Sequence, residues 1–133
     1  MRRLAIMAIS VLILSGCNGK KFVDPSEPAR EVLMDALTAM EQHDYGRYMQ
    51  HVDLGEEMDT LQVDFVHKAL VQYQNRMEAT RGRSVDVTII DADMESDTVC
   101  SLFYQVTYAD STSEVASQKM VRTNGEWKIR LRN

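Results

Sequence analysis

The chain has 133 residues, 20 acidic against 15 basic, for a net charge of −5, and 44% of its residues are hydrophobic. That length suits one domain with a substantial core. An acidic balance without a basic stripe argues against nucleic acid as a partner and against polybasic adhesion to membranes.

Arg2 and Arg3 open the chain, and Leu4 to Leu14 follows as eleven residues without charge. Such a run is too short to cross a bilayer as a helix, which takes ~20 residues, but it suits the apolar part of an export signal. Leu14-Ser15-Gly16-Cys17 ends it and resembles the lipobox of a bacterial lipoprotein. That resemblance implies cleavage before Cys17, lipidation of Cys17 and anchoring in a membrane through its acyl chains. Two or three chains on one residue anchor stably where a single chain binds only marginally. Asn18 follows the cysteine where Asp would signal inner-membrane retention, which in proteobacterial lipoproteins implies the outer membrane. The expected organisation is a removed signal over 1–16, a lipidated tether over 17–24 and a single domain over 25–133. Losing Arg2 and Arg3 leaves 13 basic against 20 acidic residues. Fully extended, the tether reaches only about 20–25 Å, so the domain is expected near the membrane surface. With Cys17 acylated, Cys100 has no partner for a disulfide and is read as a small buried hydrophobe.

Asp24-Pro25-Ser26-Glu27-Pro28 combines acceptor side chains, prolines and acid, the ingredients of a helix start. From Ala29 to about Gln42, Val32, Leu33, Ala36, Leu37 and Met40 recur at helical spacing and predict a first helix. Asp44 is placed to cap a short second helix carrying Tyr45, Tyr48, Met49 and Val52, although Gly46 weakens it. A break at Asp53-Leu54-Gly55 precedes a third helix. Its stripe is Met58, Leu61, Phe65, Val66, Ala69, Leu70, Tyr73 and Met77, and Gly82 stops it.

After Arg83 the period drops to two. Val85, Val87 and Ile89 alternate with Asp86 and Thr88. Cys100, Leu102, Tyr104, Val106 and Tyr108 alternate with Ser101, Gln105 and Thr107. Trp127, Ile129 and Leu131 alternate with Lys128, Arg130 and Arg132. Asn124-Gly125 between two such patterns is a strong hairpin signal. The strand over 113–123 has no purely apolar register, which predicts a bulge. The expected fold is α+β: about three N-terminal helices packed on a curved four-stranded antiparallel meander.

That order resembles the nuclear-transport-factor-two-like superfamily, also called ketosteroid-isomerase-like or cystatin-like, and within it the small bacterial lipoproteins of unknown function. The likeness rests on Pro28 through Tyr48 and on Val121-Arg122-Thr123-Asn124-Gly125-Glu126-Trp127-Lys128-Ile129. It implies a cone-shaped cavity between helices and sheet, used by different members for catalysis, ligand binding or dimerisation.

An isomerase-like site needs a carboxylate base and a tyrosine or protonated acid as oxyanion donor, inside an apolar pocket. Asp53 is nearest to where the family's enzymes place a base, with Tyr45, Tyr48 or Tyr104 as donors. The strand faces expected to point inward carry no Asp or Glu, so the competing assignment makes Asp53 the cap of the third helix. His43, His51 and His67 lack metal-ligand spacing, and His67 is expected in solvent. Asp91, Asp93, Glu95 and Asp97 have Ser96 and Leu102 where a calcium loop needs Gly and Glu, so they read as an acidic hairpin tip. No metal and no cofactor are expected. Methionines fill cores or line adaptable pockets, and seven of the nine lie after Cys17. The resulting expectation is a non-catalytic, membrane-anchored module of the cell envelope that binds a small apolar ligand or an envelope protein. Its cavity candidates are Tyr48, Tyr104, Tyr108 and Trp127. The alternative is an isomerase- or hydrolase-like enzyme with its base at Asp53. Homodimerisation through the open sheet face stays open, as does pairing of the cationic face of Lys128, Arg130 and Arg132 with acid from the helices.

Overall fold

A computed structural model describes residues 23–55 and 59–131. The expected lipobox with Cys17, and Met58 and Arg132, lie outside the described residues.

Asp24 sets the start of the chain's first helix by accepting from the Ser26 amide at 2.9 Å and the Ser26 hydroxyl at 2.8 Å. These bonds favour the carboxylate and hold the Asp24 pKa below its ordinary value. α1 spans Glu27–Glu41, two residues earlier than the apolar spacing suggests, because Pro28 fits its first turn. Its inner face is Ala29, Leu33, Ala36, Ala39 and Met40. Three alanines let the helix axis come close to the sheet, where Cys100, Leu102, Met120 and Ile129 complete a sealed core. Cys100 is fully buried, and burial pushes its thiol pKa up.

His43 turns the chain at φ 60°, and Asp44 accepts from the Arg47 amide at 3.2 Å to cap α2, Tyr45–Gln50. Gly46 is tolerated there because the cap and the burial of Tyr48 carry so short a helix. Across this corner, Asp35 of α1 takes hydrogen bonds from Arg47 and from His51, the latter at 2.6 Å. Those two bonds, Arg47 first, lower the Asp35 pKa to about 2.

The break expected at Asp53 holds a strand instead. β1, Val52–Asp53, pairs parallel with the last strand, placing Val52 opposite Ile129. The Ile129 amide donates to the His51 carbonyl at 2.6 Å. Two residues are too few to display a period of two, so only pairing reveals the strand.

α3 spans Thr60–Arg81, and its cap is Asp59: its side chain accepts from the Gln62 amide while the Gln62 side chain accepts from the Asp59 amide, both at 2.9 Å. Asp53 does not cap it. The expected apolar stripe is present but only half used. Gln74 is the single buried residue of the helix, whereas Leu61 and Phe65 are 79% and 73% exposed. The helix meets the sheet with its C-terminal half, and Gly82 ends it at φ 85°, where a Cβ would come within 2.8 Å of the Ala109 Cβ.

Four antiparallel strands follow: β2 (Ser84–Ser96), β3 (Val99–Tyr108), β4 (Ser113–Thr123) and β5 (Glu126–Arg130). With β1 the sheet is five-stranded and mixed, in the order β1-β5-β4-β3-β2. The bulge expected in β4 is absent, since β4 keeps constant register against both neighbours. Three register shifts lie in β2 instead. β2 is an edge strand longer than its partner, and its extra residues are absorbed as irregularities that curl the sheet. The β4–β5 turn has Asn124 and Gly125 both at positive φ, as a tight hairpin needs.

Lys128, on the outer face of β5, donates to the Gln50 carbonyl at 2.9 Å. It therefore meets the backbone at the negative end of α2, with Glu126 of its own strand at 3.6 Å, and no acid of the helices. Arg130 is exposed.

Candidate functional site

Alternation along β3 turns Tyr104, Val106 and Tyr108 to the helix side of the sheet. The unbroken β3–β4 register sets Ala116 opposite Tyr104 and Glu114 opposite Val106. A small side chain beside a large one leaves space, and a cavity of about 150 Å³ opens there. α1 supplies Leu37, Met40 and Glu41, and α2 supplies Tyr48. α3 supplies Leu70, Tyr73, Gln74, Met77 and Glu78 at helical spacing, and Gly82 and Ser84 close the corner between α3 and β2.

The floor is apolar and phenolic. Tyr48 is only 8% exposed, and burial raises its pKa to about 12, helped by the nearby phenols of Tyr104 and Tyr73. Burial likewise raises Tyr104 and Tyr73. All three stay neutral hydroxyls at physiological pH. Among the described residues the Tyr48 hydroxyl has no hydrogen-bond partner, although a buried hydroxyl ordinarily finds one.

The mouth is acidic and cross-braced. Tyr108 donates to Glu114 Oε2 at 2.9 Å, and Arg81 donates to Glu114 Oε1 at 3.2 Å. The Arg81 guanidinium also stands 5.2 Å from the centroid of the Tyr108 ring. Burial first, and then the bond to Glu114, push the Tyr108 pKa up. Opposite, Glu78 lies 2.7 Å from His43 Nε2 and accepts from Gln74 at 3.0 Å. Burial pushes Glu78 up, but the bonds from His43 and Gln74 outweigh it and leave the carboxyl below its ordinary pKa. Arg83 holds Glu41 at 2.8 Å.

Three of the four residues picked from sequence, Tyr48, Tyr104 and Tyr108, are brought together here. Trp127 is not among the lining: it sits in the sealed core under α1. Asp53 lies outside the cavity too. It accepts from the Gly55 amide at 3.2 Å and borders a wide, open hollow with Leu61, Phe65, Arg130 and Leu131. The expectation that inward strand faces carry no acid is corrected by Glu114, which the straight register of β4 turns into the cavity. Glu41, Tyr73, Gln74, Glu78 and Glu114 are among the lining residues that sequence reasoning missed. The turn at Asp110-Ser111-Thr112 held the signal for Glu114, because counting back from it pairs Glu114 with Val106.

The histidines are scattered. His43 joins Glu78, His51 joins Asp35, and His67 packs edge-on against Tyr45 at 5.7 Å, half-buried, where solvent was expected. Among the described residues no three of His, Cys, Asp and Glu gather in a metal-binding arrangement. Nor is any described helix long and apolar enough to cross a membrane.

No family model matches the sequence, and no curated protein matches it. Solved structures do match in shape. A protein of Campylobacter jejuni, provisionally named an NTF2-like transpeptidase, superposes with a TM-score of 0.67 at 14% identity, over 78% of this chain and 98% of that one. An NTF-2 like protein of unknown function from Shewanella oneidensis MR-1 superposes with a TM-score of 0.57 at 16% identity, over 80% of this chain and 94% of that one. At such identities the likeness establishes the fold alone, and that fold is NTF2-like.

Proposed function

We propose that this NTF2-like domain is a non-catalytic ligand-binding module, tethered to a membrane of the bacterial cell envelope through acyl chains on Cys17. The observation that carries the binding reading is the buried Tyr48 hydroxyl, without a partner among the described residues, beside a cavity of about 150 Å³. Burying a hydroxyl unpaired costs about 1–3 kcal/mol by mutational measures, a cost that a ligand oxygen accepting from Tyr48 removes. Apolar walls with a few convergent polar groups are the usual make-up of small-molecule sites.

Titrating the full chain with small compounds that join an apolar body to a polar head, while following the tyrosine ring resonances, tests this. Binding is expected to disappear in Ala116→Leu, which fills the cavity. Ligands that bind equally well to Ala116→Leu would place the site elsewhere.

The anchor rests on Leu14-Ser15-Gly16-Cys17 and the short tether after it. Mass spectrometry of the chain from a bacterial host is expected to find an acylated Cys17 at the N-terminus, and Cys17→Ala to release the protein from membranes. An unprocessed or unacylated product sinks this part. The enzyme reading with a base at Asp53 draws no support from the geometry, since Asp53 faces an open hollow away from the tyrosines.

A further inference from the structure

We infer that the cavity takes a small organic cation, an ammonium or trimethylammonium compound whose apolar body lies among the tyrosine rings and whose charge faces the glutamates at the mouth. This rests on the cavity being a ligand site at all.

Among the described residues, the lining holds three glutamates and four tyrosines but no Lys, Arg or His. An anion entering it would face Glu41, Glu78 and Glu114, while their partners Arg83, His43 and Arg81 are not among the lining residues. A neutral body would gain no charge pairing from those carboxylates. A cation gains twice, from the carboxylates and from the electron-rich faces of the phenol rings. One such contact is already built into the protein. Arg81 stands over the Tyr108 ring at 5.2 Å while bonding Glu114 at 3.2 Å. A ligand cation would repeat on the inner side of Glu114 the pairing that Arg81 makes at its edge.

The glutamates have capacity for it. Each carboxylate offers about four acceptor positions. Glu114 accepts one bond from Tyr108 and one from Arg81, Glu78 is bonded by His43 and Gln74, and Glu41 is held by Arg83. Independently of the acids, the buried Tyr48 hydroxyl, unpartnered among the described residues, calls for an acceptor on the ligand. Size narrows the class further. A cavity of about 150 Å³ is of the order that holds a benzene molecule, so the cation is compact.

Choline, neohexyl alcohol and tert-butylacetate share one shape and differ in charge: cation, neutral and anion. Each is titrated into the full chain while the tyrosine ring resonances are followed. Choline is expected to bind about tenfold or more tighter than the alcohol, and tert-butylacetate not to bind. Glu114→Gln is expected to remove most of choline's advantage while leaving the alcohol unchanged. Glu78→Gln serves as a second variant should the first not fold. Equal or tighter binding of the alcohol or the anion overturns the cation inference and leaves the cavity reading standing. If none of the three perturbs the tyrosines at tens of millimolar, both fall.

Discussion

α1 and α3 carry similar apolar stripes in the sequence and meet different fates. α1 buries Ala29, Leu33, Ala36, Ala39 and Met40 against the sheet, whereas α3 buries only Gln74. The small residues of α1 admit close approach. α3 bears Tyr73, Met77 and Glu78 on the side it presents to β3 and β4, and the cavity stands between these elements. An amphipathic pattern therefore says which face is apolar, not whether another element arrives to cover it. One helix builds the core, and the other walls the site.

The largest test of that contrast is to truncate a side chain on each helix. Leu33→Ala is expected to cost about 2–5 kcal/mol, the usual price of a cavity in a sealed core. Phe65→Ala is expected to stay within about 0.5 kcal/mol of neutral, as exposed substitutions do. Equal losses by denaturant unfolding would mean that Phe65 is covered in solution.

Removing the cap of α3 comes next. Asp59→Ala is expected to cost about 1 kcal/mol, because it removes the carboxylate that accepts from the Gln62 amide. Since α3 is held by few buried side chains, its amides are expected to exchange with solvent faster than those of α1, and faster still in this variant. Unchanged exchange in α3 would show that packing, not the cap, holds its start.

Tyr48→Phe distinguishes a site from a core. Deleting a buried hydroxyl that has no partner is expected to be neutral or stabilising by up to about 1 kcal/mol, while weakening any ligand whose oxygen accepts from it. A clear loss of stability would reveal a structural bond at Tyr48.

The smallest effect lies at the corner of α1 and α2. The folded Asp35 pKa, about 2, is below its ordinary 3.8. Its contribution is therefore full above the unfolded value and is lost as the pH falls through 3.8 towards 2. Asp35 and Arg47 are both more than a third exposed, so solvent screening keeps the contribution well below 1 kcal/mol. Asp35→Asn is expected to flatten the stability curve in that acid window and leave its shape above pH 5 unchanged. A slope in the acid window identical to the parent's would remove Asp35 from the account.

Much of the fold was legible. Pro28 and Asp44 marked helix starts, Gly82 and Asn124-Gly125 marked a stop and a turn, and β3 and β5 showed their alternation openly. β1 was hidden because two residues carry no period. The missing bulge in β4 was misread because the strand alternates small and polar residues on the side it turns to the cavity: Glu114, Ala116 and Gln118 look like exposure from sequence. For the site, tyrosine composition picked out Tyr48, Tyr104 and Tyr108, but equally Trp127, since large aromatics line cores and cavities alike.

Sequence by itself determined the local states: period, caps and turns act over a few residues, so neighbouring side chains suffice to specify them. It also carries Leu14-Ser15-Gly16-Cys17, the motif on which the proposed anchor rests. Only the tertiary structure decided which apolar faces are covered, that Val52–Asp53 joins β5, and that Glu114 shares a cavity with Tyr48. These depend on register and on how closely helices approach a curled sheet, and such distances are set by residues far apart along the chain.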